Sequence, residues 1–96
     1  MKVVPAKKLP SILPVQIRGA RAFLGWTQDE LAVRSGISKR SIAAIELETT
    51  HARKPTLERL VRALEAGGIE FAFSREGWPT VALNVGKVAR AAGEAP

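Results

Sequence analysis

The 96-residue chain predicts a compact, mainly α-helical domain of four to five helices followed by a C-terminal β-hairpin. Three observations predict it. Apolar residues recur at helical spacing between positions 15 and 66, glycines at 25, 36 and 67–68 stand where those runs stop, and after Gly68 the apolar period shortens to two. The chain accordingly divides into a basic, proline-rich arm (1–14), a helical body (15–68), a hairpin (69–85) and an Ala- and Gly-rich tail (86–96).

Pro5, Pro10 and Pro14 keep the arm from running as one helix, so it is expected to be extended or partly disordered, with Lys2, Lys7 and Lys8 free to meet an anion. The first helix, about Val15 to Leu24, carries Ile17, Ala20 and Leu24 on one face and ends at Gly25. Thr27 then caps a second helix, and Glu30, three residues on, completes a capping box with it. Leu31 anchors that helix in the core while Ala32 stays small for a close crossing; Gly36 ends it at low cost because glycine tolerates positive φ. Ser38 caps a third helix whose Ile42 and Ile45 bury one stripe. Two short amphipathic helices hinged at a glycine make a helix-turn-helix, and that motif points to DNA.

The third helix also breaks a local rule. Cations oppose the partial positive charge at a helix N-terminus by about 0.3–1 kcal/mol each, yet Lys39 and Arg40 open this one. A violation of this kind marks a functional site, and a duplex supplies both phosphates and guanine acceptors to satisfy the two side chains.

Residues 15–66 resemble the phage-repressor (Xre/Cro, lambda-repressor-like) class of helix-turn-helix domain. The resemblance is carried by Ile17-Arg18, Arg21, Gly25-Trp26-Thr27-Gln28, Leu31-Ala32, Gly36-Ile37-Ser38, Ile42, Ile45-Glu46 and Pro55-Thr56-Leu57. It implies that Gln28 binds a backbone phosphate; Thr27, Ser38 and Ser41, and beyond the third helix Arg53 and Lys54, are candidate phosphate contacts beside it. It implies equally that the outward residues of the third helix, Lys39, Arg40, Ala43 and Ala44, read base edges. Lysine and arginine suit guanine O6 and N7, and alanine suits a thymine methyl. The family also pairs an arginine of its first helix with the glutamate ending the recognition helix, which implies a structural ion pair between Arg21 and Glu46. One stretch departs from the pattern: between Glu46 and Pro55 the turn is longer than usual and lacks the customary glycine.

Charge agrees with a polyanionic partner. The net charge is +6 and the sequence pI near 10.6, with +3 in residues 1–14, +3 in residues 15–68 and balance thereafter. Enzymatic function is not expected, since the chain has no cysteine or tyrosine, one histidine (His51), no paired carboxylates at a useful spacing and no glycine-rich phosphate loop. His51 has no acidic or cysteine cluster around it, so neither a metal nor a cofactor is expected, and a loop histidine near DNA is the modest reading. No apolar run is long enough for a bilayer and Met1–Pro5 lacks a signal peptide's hydrophobic stretch, so a cytoplasmic location is expected.

The fourth helix is expected to be capped by Thr56, to bury Leu57, Leu60, Val61 and Leu64, and to stop at Gly67-Gly68. In the hairpin, Ile69, Phe71 and Phe73 alternate with polar or small residues, and beyond a turn at residues 75–79 so do Val81, Leu83 and Val85. An isolated hairpin is marginal in water. Its apolar residues therefore either dock on the chain's own helices or, as preferred here, let Ile69, Phe71, Phe73, Val81 and Leu83 form a dimer interface, with Trp78 packing nearby.

The function expected is that of a sequence-specific double-stranded DNA-binding transcriptional regulator, a repressor working as a homodimer on a palindromic operator. The alternative is the antitoxin of a toxin–antitoxin pair, which binds a partner protein and controls its own operon. An activator touching RNA polymerase through Glu30 is a third reading.

Overall fold

A computed structural model describes residues 3–5 and 12–87. The arm lysines Lys2, Lys7 and Lys8, and residues 88–96 of the expected tail, lie outside them. The element order is β1 (Val3–Pro5), α1 (Pro14–Leu24), α2 (Gln28–Ser35), α3 (Lys39–Glu46), α4 (Lys54–Ala66), β2 (Ile69–Ser74) and β3 (Pro79–Leu83), with helical backbone again at residues 85–87.

Local chemistry sets most of these boundaries. Pro14 opens α1, where a missing N–H is harmless, and the Leu13 N–H donates to Gln16 Oε1 at 2.9 Å. Gly25, at φ 68°, closes the helix, and the Trp26 N–H bonds back to the Arg21 carbonyl at 3.0 Å. The capping box of α2 is formed: Thr27 Oγ1 accepts the Glu30 N–H at 3.0 Å. Gly36, at φ 74°, ends α2, and Ser38 Oγ caps α3 by accepting the Ser41 N–H at 3.1 Å.

The start of α4 differs from the expectation. Its N-cap is Arg53, whose side chain makes no capping bond, and Thr56 lies inside the first turn. Pro55 explains the shift, because its locked φ favours the first helical turn and it has no N–H to leave unpaired there.

The core joins Ile17 and Ala20 of α1, Leu31 of α2, Ile42 and Ile45 of α3, Leu60 and Leu64 of α4, and Ile69 and Phe71 of β2, all buried. At the exit of α4 the chain runs so close to α1 and Trp26 that a Cβ on Gly67 would lie 2.9 Å from the indole and 3.1 Å from Leu24 Cδ1. Glycine is required at that position by space and not by handedness, since its φ is −80°.

The hairpin belongs to a three-stranded antiparallel sheet of order β1-β2-β3, in which Val4 pairs with Phe73 and Phe71 with Val81. Its turn closes through the Gly77 N–H to the Ser74 carbonyl and the Ser74 N–H to the Trp78 carbonyl, with Gly77 at φ 92°. This is a three-residue loop with glycine at the positive-φ position. Val85, read from sequence as strand, lies beyond the end of β3 in helical backbone and is exposed.

Of the two fates open to the hairpin, the structure shows docking on the chain's own helices: α1 packs on β3 and α4 on β2. Ile69 and Phe71 are thereby core residues, with no surface to offer a second copy. Gln16 rivets the junction. Its side chain, 2 % exposed, donates through Nε2 to the Ala72 and Thr80 carbonyls at 3.1 and 3.2 Å. Sequence periodicity gave no hint of this, because a glutamine at a helix start reads as solvated.

Candidate nucleic-acid interface

The candidate interface is built on α3, whose position follows from its two faces. Ile42 and Ile45 are buried against α1 and α2, so Ser38, Lys39, Arg40 and Ser41 must face solvent at the helix start, with Ala43 and Ala44 half-buried along the flank. The outward ridge is narrow and carries its long side chains at one end.

An ion pair buried at its glutamate end holds the angle of this helix. Arg21 Nε and Nη2 donate to the two oxygens of Glu46, each at 2.8 Å, while Arg21 Nη1 donates to the Trp26 carbonyl at 2.9 Å. Glu46, the last residue of α3, is 3 % exposed, so the fork ties the end of α3 to α1 and to the loop before α2. Burial alone would push the Glu46 carboxyl up. The hydrogen bonds from Arg21 and Gln28, with the charges of Arg21 and Arg18, outweigh it and hold the carboxyl below the usual glutamate range. The same hydrogen bond raises Arg21 above its ordinary value despite its partial burial.

Gln28 belongs to this network. Its Nε2 donates to Glu46 Oε1 at 3.1 Å, which commits one amide hydrogen and leaves the other without a partner among the described residues. Thr27, beside it, is exposed but spends its hydroxyl on the cap.

The two cations of α3 differ in state. Lys39 Nζ lies 3.3 Å from Asp29 Oδ2, so its charge is already partnered. Arg40 makes no ion pair or side-chain hydrogen bond among the described residues. It lines a groove between α3 and the following loop together with Ser41, Thr50, His51, Arg53 and Thr56, and no carboxylate of the described residues lines that groove. The structure thus brings Arg53 beside the start of α3, while Lys54 is exposed in the first turn of α4. Thr50 was not singled out from sequence, since a threonine in a loop carries no distinguishing signal, and Thr56, read there as a helix cap, instead lines this groove.

The loop after α3 shows what replaces the customary glycine. Glu48 adopts φ 59°, the Glu48 N–H bonds to the Ile45 carbonyl and the Thr49 N–H to the Ala44 carbonyl, both at 3.0 Å. That is a Schellman cap with a side chain at the left-handed position, a conformation L-residues take only at a cost.

A capped helix pair with an outward cationic tip, fastened from behind by an Arg–Glu fork, is the scaffold of a DNA-reading domain. A family model, helix-turn-helix, matches residues 17–72, well over half of the chain. The chain belongs to this family, the phage-repressor type, and is a DNA-binding transcriptional regulator. No curated protein matches it. No helix of the described residues is long and apolar enough to cross a membrane.

Proposed function

We propose that the chain is a sequence-specific repressor that places α3 of each subunit of a homodimer in successive major grooves of a palindromic operator. The observation that carries this reading is the pairing of an exposed Arg40, without a side-chain partner among the described residues, with a groove that no described carboxylate lines, on a helix whose other face is locked in the core. In this reading Lys39, Arg40, Ala43 and Ala44 meet base edges; Thr27, Gln28, Ser38, Ser41, Arg53 and Lys54 meet phosphates.

The dimer is supported by the sheet edge. The ladder from β2 alternates along β3 so that Val81 and Leu83 aim their amides and carbonyls away from it, and residues 79–84 carry no charge to repel a second copy. Truncation of the hairpin is a poor test, because it would strip Ile69 and Phe71 from the core. Ala82 is exposed in the middle of the edge, so Ala82→Lys should give a folded monomer by sedimentation equilibrium. A dimer that survives the substitution rules out edge pairing.

Selection of bound duplexes from a random pool tests the DNA reading itself. A symmetric enriched motif is expected, with affinity falling steeply as salt rises through counterion release. Arg40→Ala should lose discrimination at one base position at about 1–3 kcal/mol, whereas Gln28→Ala should weaken all duplexes alike. If both variants keep wild-type affinity and selectivity, α3 is not the docking helix.

A further inference from the structure

We infer that Asp29 is a specificity-determining residue, positioning Lys39 for base readout; the inference rests on the docking proposed above. Asp29 is the second residue of α2 and Lys39 the first of α3, so their contact spans the two helix starts on the outward side of the motif. Both side chains stay open to solvent, at 70 % and 59 % exposure.

Stability does not account for the pair. An ion pair this exposed contributes almost nothing to folding. Glu30 already supplies an acid to the first turn of α2 and completes its cap. A carboxylate on the face that meets a duplex also repels phosphates, which lie within a screening length of it. Asp29 therefore opposes non-specific binding while supplying the partner that makes Lys39 selective.

The chemistry explains how. A free lysine is a mobile point charge with three rotatable donors, and it serves a phosphate, a guanine or a thymine carbonyl with little preference. Fastened to Asp29, the ammonium has one hydrogen committed and presents the remaining two from a defined place. Because the pair is neutral as a unit, its attraction to phosphate is reduced. Beside the donors stands a carboxylate oxygen able to accept, so the pair offers a donor and an acceptor together. Guanine O6 and N7 beside a cytosine amino group complement that arrangement, whereas bare phosphate does not. Sequence reading missed this role because an aspartate in a first helical turn is fully explained by the helix dipole.

The test compares wild-type protein with Asp29→Ala, Asp29→Asn, Lys39→Ala and the Asp29→Ala/Lys39→Ala double variant, each put through the same random-pool selection and titrated on the wild-type motif and on an unselected duplex. Asp29→Ala should bind the unselected duplex several-fold tighter and lose about tenfold in discrimination at the one base pair where Lys39→Ala also loses it. The double variant should match Lys39→Ala at that pair, and Asp29→Asn, which keeps an acceptor, should retain part of the preference. Thermal melting of each variant confirms an unchanged fold. Asp29→Ala that gains affinity uniformly and keeps the wild-type motif overturns the inference, as does loss at a base pair other than that of Lys39. A wild-type protein that enriches no motif instead overturns the docking on which it rests.

Discussion

Replacing Glu48 with glycine should make the protein more stable, and the structure says by how much. Glu48 occupies the left-handed position of the α3 cap at φ 59°, the one positive-φ residue other than glycine among those described. An L side chain there costs about 1–2 kcal/mol through its Cβ. Glycine removes that strain but brings about 0.5–1 kcal/mol of extra freedom to the unfolded chain. Taken near the middle of both ranges, the net gain is about 0.5–1 kcal/mol. For a domain this small it corresponds to a Tm rise of about 2–8 °C. Nothing else is lost, because the Glu48 side chain makes no hydrogen bond or ion pair among the described residues, and the two cap hydrogen bonds come from backbone. The assay is urea unfolding followed by circular dichroism, with Glu48→Ala as the control that removes the charge and keeps the Cβ. Glu48→Ala should stay near wild type. A gain in Glu48→Ala equal to that in Glu48→Gly, or no gain in Glu48→Gly, would refute the backbone argument.

Other expected outcomes concern the fork and the crowded glycine. Glu46→Ala should cost about 1.5–3 kcal/mol, because the half-buried Arg21 guanidinium loses two of its three hydrogen bonds, both charge-assisted. It should also weaken DNA binding by gel shift without altering the preferred motif, since Glu46 orients α3 and faces away from any base. The carboxyl of Glu46 is held below its unfolded value, so the stability it contributes is complete above the ordinary glutamate range, about pH 4.3, and is lost as pH falls from there through the folded value. Urea midpoints measured between neutrality and acid should therefore drop less steeply in Glu46→Gln than in wild type. Gly67→Ala should cost about 1–3 kcal/mol by forcing Trp26 or Leu24 aside. Its backbone suits alanine, so any loss in the unfolding midpoint is steric.

The prediction for Glu48 comes from a position where a local rule and the fold disagree, and that for Asp29 from a contact no local rule reveals; the legibility of this chain divides along that line. Caps, glycine stops and apolar periods act over three or four residues, so Thr27, Ser38, Gly25 and Gly36 could be placed from the chain alone. The docking of the hairpin could not. Alternation shows that Ile69 and Phe71 bury a face, but whether that face meets α1 and α4 or a second copy depends on chain path, which no local pattern encodes.

By itself the sequence determined the helical body, the hairpin, the motif and the outward stripe of α3, because each is written in short-range spacing and in the conformational limits of single residues. The tertiary structure alone decided which charges are free. Lys39 and Arg40 are equivalent as letters, yet Asp29, ten residues upstream, reaches the first and nothing described reaches the second. It likewise decided that Gln16 is a buried rivet between helix and sheet and that Gln28 leans on Glu46. Hydrogen-bond partners are a matter of a few ångströms between segments far apart in the chain, and such distances exist only once the core has closed.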